Sequence, residues 1–374
     1  MDAAITQRAA VHGHLQNVWH GMRRGGARNP LTTGPAEVNA PPDMQSDLIP
    51  ELSRQPRPPL LVASHLAPSV LPLYRLVADR IGDRLERPVE FVVADSYERC
   101  ARDLDHVCFV CSIPYLLLAR SRRTRMQVLA APVLTGTRHE SRPIYFSDVI
   151  VPGLSDVRTF GDLTGRRFAY NEPYSHSGYL VVLHALATRG LTTDFFGEMV
   201  EVGFHQIAIQ MVAEGSADGA AIDSQVLALA LRDDPGLADR IRVVDVLGPS
   251  TIQPVVASVD RLTQRDRDSI SDVVVSLADD DDAAAVLDAA GISRFVRANA
   301  RAYTDIATMF DRVARSNLLP AWWWPRWQAI VGYTSDAQAT VGEQAFDRGN
   351  ADGTARGLHA RRGRTHMPEK RNQP

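Results

Sequence analysis

Lysine is all but missing from this chain: of 41 basic residues only Lys370 is a lysine, and it lies near the C-terminus. The rest of the sequence therefore offers no Schiff-base or P-loop lysine, which argues against pyridoxal-type and Walker-type chemistry. Cysteine is sparse as well. Cys100, Cys108 and Cys111 are too few for a disulfide framework. Cys108-x-x-Cys111 has metal-clip spacing, but there is no second pair and Cys108 falls inside the apolar run 107–110. The cysteines are read as small buried hydrophobes, with Cys111 at a strand end where it can face a cleft. No His/Asp/Glu group has metal-ligand spacing, and no metal or cofactor is expected. No apolar run reaches the ~18 residues of a membrane span. The first 57 residues show no apolar h-region, so the protein as written is expected in the cytoplasm. A start site placed elsewhere would put it in the periplasm or at the cell surface. Acidic residues are interspersed with the arginines, aromatic-basic interleaving is missing, and net charge is −3, so no nucleic-acid partner is expected.

With 374 residues, 45% hydrophobic and 23% charged, the chain can build two domains. Residues 1–57 and 342–374 are Gly-, Pro- or Arg-rich and aperiodic, and are expected to be a disordered leader and a disordered basic tail. Four tryptophans between Trp322 and Trp327 mark a segment, 317–341, that is either an exposed partner surface or packs back on the body. Between these ends, short apolar runs alternate with amphipathic stretches, which predicts an α/β fold with largely parallel sheets. Ten strands are expected, the last over 252–257, with the remainder to 316 helical. The long extended runs 144–151 and 247–257 read as two crossings between two lobes, with a ligand cleft between them. The lobes would comprise 58–146 with 253–316, and 147–252. Asp148 and Arg142 flank the first crossing and are read as a hinge salt bridge.

The most informative stretch is Asn171-Glu172-Pro173-Tyr174-Ser175-His176-Ser177-Gly178-Tyr179. It follows a predicted strand and opens a predicted helix, so two hydroxyls and an imidazole sit where free N–H groups favour an anion. Plain helix capping is the alternative. In open α/β sheets ligands lie at strand carboxyl ends. That rule brings in Ser64, Ser112, Tyr115, His205, Asp223 and Gln253. His205 can donate to an oxyanion or cap a helix. Asp223 can orient a ligand group or cap the helix from Gln225. Tyr115 can offer its hydroxyl or sit in the core. A Ser175/His205/Asp223 triad is set aside, because no G-x-S-x-G elbow is present.

These pieces together resemble a known family. Asp162-Leu163-Thr164-Gly165-Arg166 leading into 171–179, Gly203-Phe204-His205-Gln206, Glu214-Gly215-Ser216-Ala217-Asp218-Gly219, Ala221-Ile222-Asp223-Ser224, the run 108–115 and Gly248-Pro249-Ser250 to Gln253-Pro254 occur in one order over about 58–316. The pattern is similar to the PhnD-like substrate-binding components of phosphate, phosphite and phosphonate ABC transporters. The resemblance implies a type II periplasmic-binding-protein fold, each lobe a mainly parallel sheet flanked by helices, closing by hinge motion on a small oxyanion and serving an ABC permease. It implies that Ser175, Ser177 and His205 hold the oxyanion, that His176 stands where a second hydroxyl is common, that Tyr115 is a first-lobe aromatic, and that Asp223 lies near an amino-alkyl tail. Gln253 stands where aminophosphonate binders carry an acid. The other reading is a cytoplasmic enzyme or sensor recruited from the same fold, as in menaquinone- or pyrimidine-pathway enzymes.

Overall fold

The computed structural model describes residues 57–66, 68–121 and 124–332. The expected leader and basic tail lie outside the described residues, apart from Arg57.

The chain folds from central strands outward. β1 (Leu60–Ser64) is a run of apolar residues ending in serine and buried along most of its length, as suits a strand covered on both faces. β2 (Val89–Val93) and β3 (Val107–Phe109) pair with it in parallel, Leu60 opposite Val89 and Ser64 opposite Phe109. Between β1 and β2, α1 (Leu71–Leu85) buries Leu73, Tyr74, Val77, Ala78, Ile81 and Leu85, one stripe at helical spacing. After β3 comes α2 (Ser112–Ser121), then β4 (Met126–Leu134). The chain then crosses and enters the second sheet as β5 (Ile144–Pro152).

There β6 (Arg167–Tyr170) and β7 (Glu198–Glu201) run parallel, with α3 (Val181–Thr188) between them. α4 (His205–Ala213), β8 (Gly219–Asp223) and α5 (Ser224–Asp233) follow. β9 (Ile241–Thr251) lies antiparallel along β5, Ile144 opposite Thr251, so the two crossings leave this sheet side by side. The chain returns as β10 (Val255–Ser258), continues through α6 (Gln264–Ser276) and α7 (Asp281–Ala289), and adds β11 (Ile292–Arg297). α8 (Thr304–Arg315) and α9 (Trp323–Val331) complete the described chain. The strand orders are β11-β4-β10-β3-β1-β2 and β7-β6-β8-β5-β9.

The two expected lobes are there, but both sheets are mixed rather than mainly parallel. The strands at the crossings enter antiparallel: β10 against β3 and β4, and β5 against β8 and β9. The segment 292–297, expected to be helical, is a strand that pairs antiparallel with β4. Asp148 pairs with Arg138, at 2.7 and 3.0 Å, while Arg142 pairs with Glu140. The Arg138 guanidinium also lies over the Phe146 ring on β5, which brings it to Asp148 two residues on along the same strand.

The tryptophan segment packs back on the body. Trp323 is fully buried and its indole Nε1 donates to the Pro173 carbonyl at 2.9 Å. The Tyr174 hydroxyl donates in return to the Trp323 carbonyl at 3.1 Å. Arg326 forms a two-pronged pair with Glu201. Trp322 is the tryptophan that stays substantially exposed.

Candidate functional site

β6 delivers the chain to the loop 171–175, and Ser175 is the N-cap of a single π-helical turn, His176–Leu180, that leads into α3. The Ser175 hydroxyl accepts from Gly178 N–H at 3.2 Å and lies 3.5 Å from the Ser177 hydroxyl. Gly178 has no substitute here. A Cβ would drive into Asn171 Oδ1 and come within 3.1 Å of His205 Cε1. That close approach sets the helix start directly against α4, and His205, its first residue, reaches Ser177 Oγ with Nε2 at 3.0 Å.

Burial pushes His205 down to about 4, so its ring is neutral at pH 7 and carries one N–H. With that N–H on Nε2, Ser177 receives it and its own O–H is free to point at a ligand. With it on Nδ1, a buried atom without a partner, the ring itself is the donor.

Asp223 ends β8. Its Oδ1 accepts from the N–H groups of Gln225 at 2.8 Å and Val226 at 3.4 Å, capping α5. Its Oδ2 accepts from Gln253 Nε2 at 2.8 Å, across from the second crossing. Burial outweighs these three bonds and raises the carboxyl to about 6. Asp223 thus caps a helix and also lines the cavity.

These groups enclose about 70 Å³, lined by Ser175, Ser177, His205, Asp223 and Gln253 and, from the first lobe, His65 and Tyr74. Drug-sized pockets run to roughly 300–1,000 Å³, so the occupant is small. Among the described residues lining it none is arginine or lysine. The polar contacts available are hydroxyl, imidazole and amide groups together with the carboxylates of Asp223 and Glu172. Bonds that tie the lobes include Gln253 to Asp223, the Tyr97 hydroxyl to Glu172 Oε1 at 2.6 Å, and Gln225 Nε2 to the Ala290 carbonyl at 2.8 Å.

A family model for the periplasmic phosphonate substrate-binding protein of ABC transporters matches residues 60–303. The chain belongs to this family. Its members are substrate-binding components of transporters, not enzymes. Among solved structures, the chain is similar to a binding-protein component of an ABC phosphonate transporter from Pseudomonas aeruginosa, with 15% identity and a TM-score of 0.61, over 78% of this chain and 99% of that one. It is similar to PhnD1 from Prochlorococcus marinus in complex with methylphosphonate, with 17% identity and a TM-score of 0.60, over 68% and 98% of the two chains. A third likeness is the alkanesulfonate-binding protein SsuA from Xanthomonas axonopodis pv. citri bound to MOPS, with 18% identity and a TM-score of 0.51, over 71% and 96%. These confirm the two-lobed type II fold. No helix among the described residues is long and apolar enough to cross a membrane.

In this binding protein the structure brings Ser175, Ser177, His205, Asp223 and Gln253 to one cavity. His176 turns away from it. Its Nε2 lies 2.8 Å from Ser250 Oγ, and burial lowers it to about 3. Tyr115 packs edge-on against Tyr303 at 5.4 Å between ring centroids, and Tyr179 tilts against Tyr170 at 4.7 Å. Ser64 and Ser112 are buried outside the lining, Ser64 facing Leu66 N–H at 3.4 Å. Sequence reasoning passed over Tyr74, Asn171, Glu172 and Gln225, which do line the cavity. Asn171 and Glu172 stood in the key stretch, and their place at the carboxyl end of β6 was the available signal.

Proposed function

We propose that the cavity binds a small tetrahedral phosphorus oxyanion of the phosphate, phosphite or phosphonate class, and that the two lobes close on it by hinge motion to present it to an ABC permease. The observation that carries this reading is the convergence of Ser175, Ser177 and His205 at a helix start inside a small cavity lined without arginine or lysine. Fixed neutral donors and a helix N-terminus hold an anion by directed hydrogen bonds, and select it by shape more than by charge. A protonated oxyanion oxygen can in turn donate to Asp223. The Gln253–Asp223 and Tyr97–Glu172 bonds are among the contacts between the lobes that opening would break, and the ligand bridging both lobes supplies the differential affinity that closure requires. We place the working protein outside the cytoplasmic membrane, as the family description does, and cell fractionation tests that.

A second reading is favoured by the two carboxylates in the lining, Asp223 and Glu172: a zwitterionic aminophosphonate whose ammonium is held by one of these acids. Thermal denaturation of the full chain with phosphate, phosphite, methylphosphonate, aminoethylphosphonate and sulfate separates the two. A ligand at 100 times its Kd adds about 2.7 kcal/mol. A phosphorus oxyanion that raises the Tm in the parent but not in the Ser175→Ala/His205→Ala variant supports the site. A larger rise with the amine favours the zwitterion. No rise with any phosphorus compound refutes both.

A further inference from the structure

Behind one wall of the cavity three soft ligand groups meet. Cys100 comes from the short helix Glu98–Ala101, Cys108 from the middle of β3, and His65 from the residue after β1. Cys100 Sγ lies 3.2 Å from Cys108 Sγ and 3.1 Å from His65 Nε2. Among the described residues this is the one trio of metal-ligating side chains whose donor atoms all lie within 4.8 Å of one another. The adjacent strands fix the geometry: β1 and β3 are paired, and His65 N–H donates to the Phe109 carbonyl at 2.9 Å. The Tyr97 ring stacks on His65 at 5.5 Å.

We propose that His65, Cys100 and Cys108 form a binding site for a thiophilic divalent metal ion, zinc being the fitting one. Zinc takes thiolate sulfur at about 2.3 Å and imidazole nitrogen at about 2.0–2.1 Å. A tetrahedral ion with those bonds sets sulfur–sulfur and sulfur–nitrogen separations near 3.8 and 3.6 Å, so the trio opens by about half an ångström to admit it. The charge also fits. Two thiolates and a neutral imidazole cancel a divalent ion, and a site in which both cysteines are fully buried needs that neutrality. A monovalent copper ion would leave a net negative charge there. The three protein ligands leave the fourth position to a small exogenous group. His65 both joins the trio and lines the cavity, which gives the ion its way in. The pair that matters is thus Cys100 with Cys108, not the Cys108-x-x-Cys111 spacing of the sequence. The ligating form of each cysteine is the thiolate, so ion uptake releases protons and strengthens as pH rises.

The test uses the full-length protein, reduced, loaded with zinc and dialysed, with bound metal measured by mass spectrometry. One zinc per chain is expected, falling at least tenfold in affinity in each of Cys100→Ser, Cys108→Ser and His65→Ala. Cobalt should give a thiolate charge-transfer band that weakens in each serine variant and disappears in the Cys100→Ser/Cys108→Ser double variant. Circular dichroism shows whether each variant still folds, and chelation of the parent protein, which should lower its Tm, needs no variant at all. Absence of retained zinc overturns the proposal. So does zinc retained equally in both serine variants, which would trace it to histidines elsewhere such as His12, His14 or His359. A reduced protein that refuses zinc but loses two hydrogens on oxidation would make the pair a disulfide instead. Metal content is read without any anion, so it stands independently of the proposed ligand. If both hold, zinc loading shifts oxyanion affinity through His65.

Discussion

Replacing Asp223 with asparagine should make the protein more stable at neutral pH while impairing the site. Asp223 is buried and its carboxyl is raised from the ordinary 3.8 to about 6, with burial as the cause. A raised carboxyl means the folded state holds a proton that the unfolded chain has released. Stability is therefore lost as pH climbs from about 3.8 to about 6, and the loss persists above that. At about 1.4 kcal/mol per tenfold, the difference is about 3 kcal/mol. Asparagine keeps an oxygen for the Gln225 and Val226 N–H groups and, with Gln253 turned over, an amide pair in place of the Gln253–Asp223 bond. Relative to the parent, Asp223→Asn should gain about 3 kcal/mol between pH 4 and pH 7.5, or roughly 5–10 °C in Tm for a folded body of this size. The assay is urea denaturation of both proteins across that range. A parent–variant difference that does not change with pH would refute the reasoning, because it would mean Asp223 titrates alike in both states. Loss of oxyanion binding in the stabilised variant would mark the acid as kept for its function.

The remaining predictions concern neighbouring groups. Histidines 176 and 205 are held near 3 and 4 by burial, against 6.5 unfolded, so their stabilising neutrality is complete above pH 6.5 and is lost as pH falls toward those values. The parent Tm should fall between pH 7 and pH 5 despite the opposite contribution of Asp223, and His176→Gln should flatten that slope. Gly178→Ala should cost about 1–3 kcal/mol by overpacking against Asn171 and His205, and should weaken oxyanion binding more than a surface substitution of equal cost. Trp323→Ala should cost about 3–5 kcal/mol, since it empties a fully buried site between Tyr174 and Phe310 and leaves the Pro173 carbonyl without its donor; calorimetry reads it.

The strands that hold the site were legible because their chemistry is local. β1, β6 and β8 are short, largely apolar runs, and a helix follows each, directly after β8 and a few residues on after β1 and β6. Ser175, Ser177, His205 and Asp223 followed from that grammar. Pairing direction did not, because a buried strand has the same apolar composition beside a parallel or an antiparallel neighbour. β11 was hidden by its arginines. Ile292 and Phe295 face the core while Arg294 and Arg297 reach outward, a pattern that reads equally as one side of a helix. Tyr115 shows the other limit. It sits near the end of a strand, as the open-sheet rule asks, but it is the fourth residue of α2, and there its ring faces Tyr303. Nothing near position 115 in the sequence announces a partner almost two hundred residues away.

α9 bears on where this domain can be cut. The match to the family ends at residue 303, a natural place to stop an expression clone. The peptide that backs the loop 171–175 comes from twenty residues later, where Trp323 grips Pro173 and Arg326 anchors to Glu201. A fragment trimmed to the homologous core would expose the rings of Tyr97 and Tyr174, which Trp327 now covers. Such a fragment would be expected to aggregate or to bind weakly, and a negative ligand screen on it would say nothing about the intact protein. The packed body of this chain runs on past residue 303 to include α9.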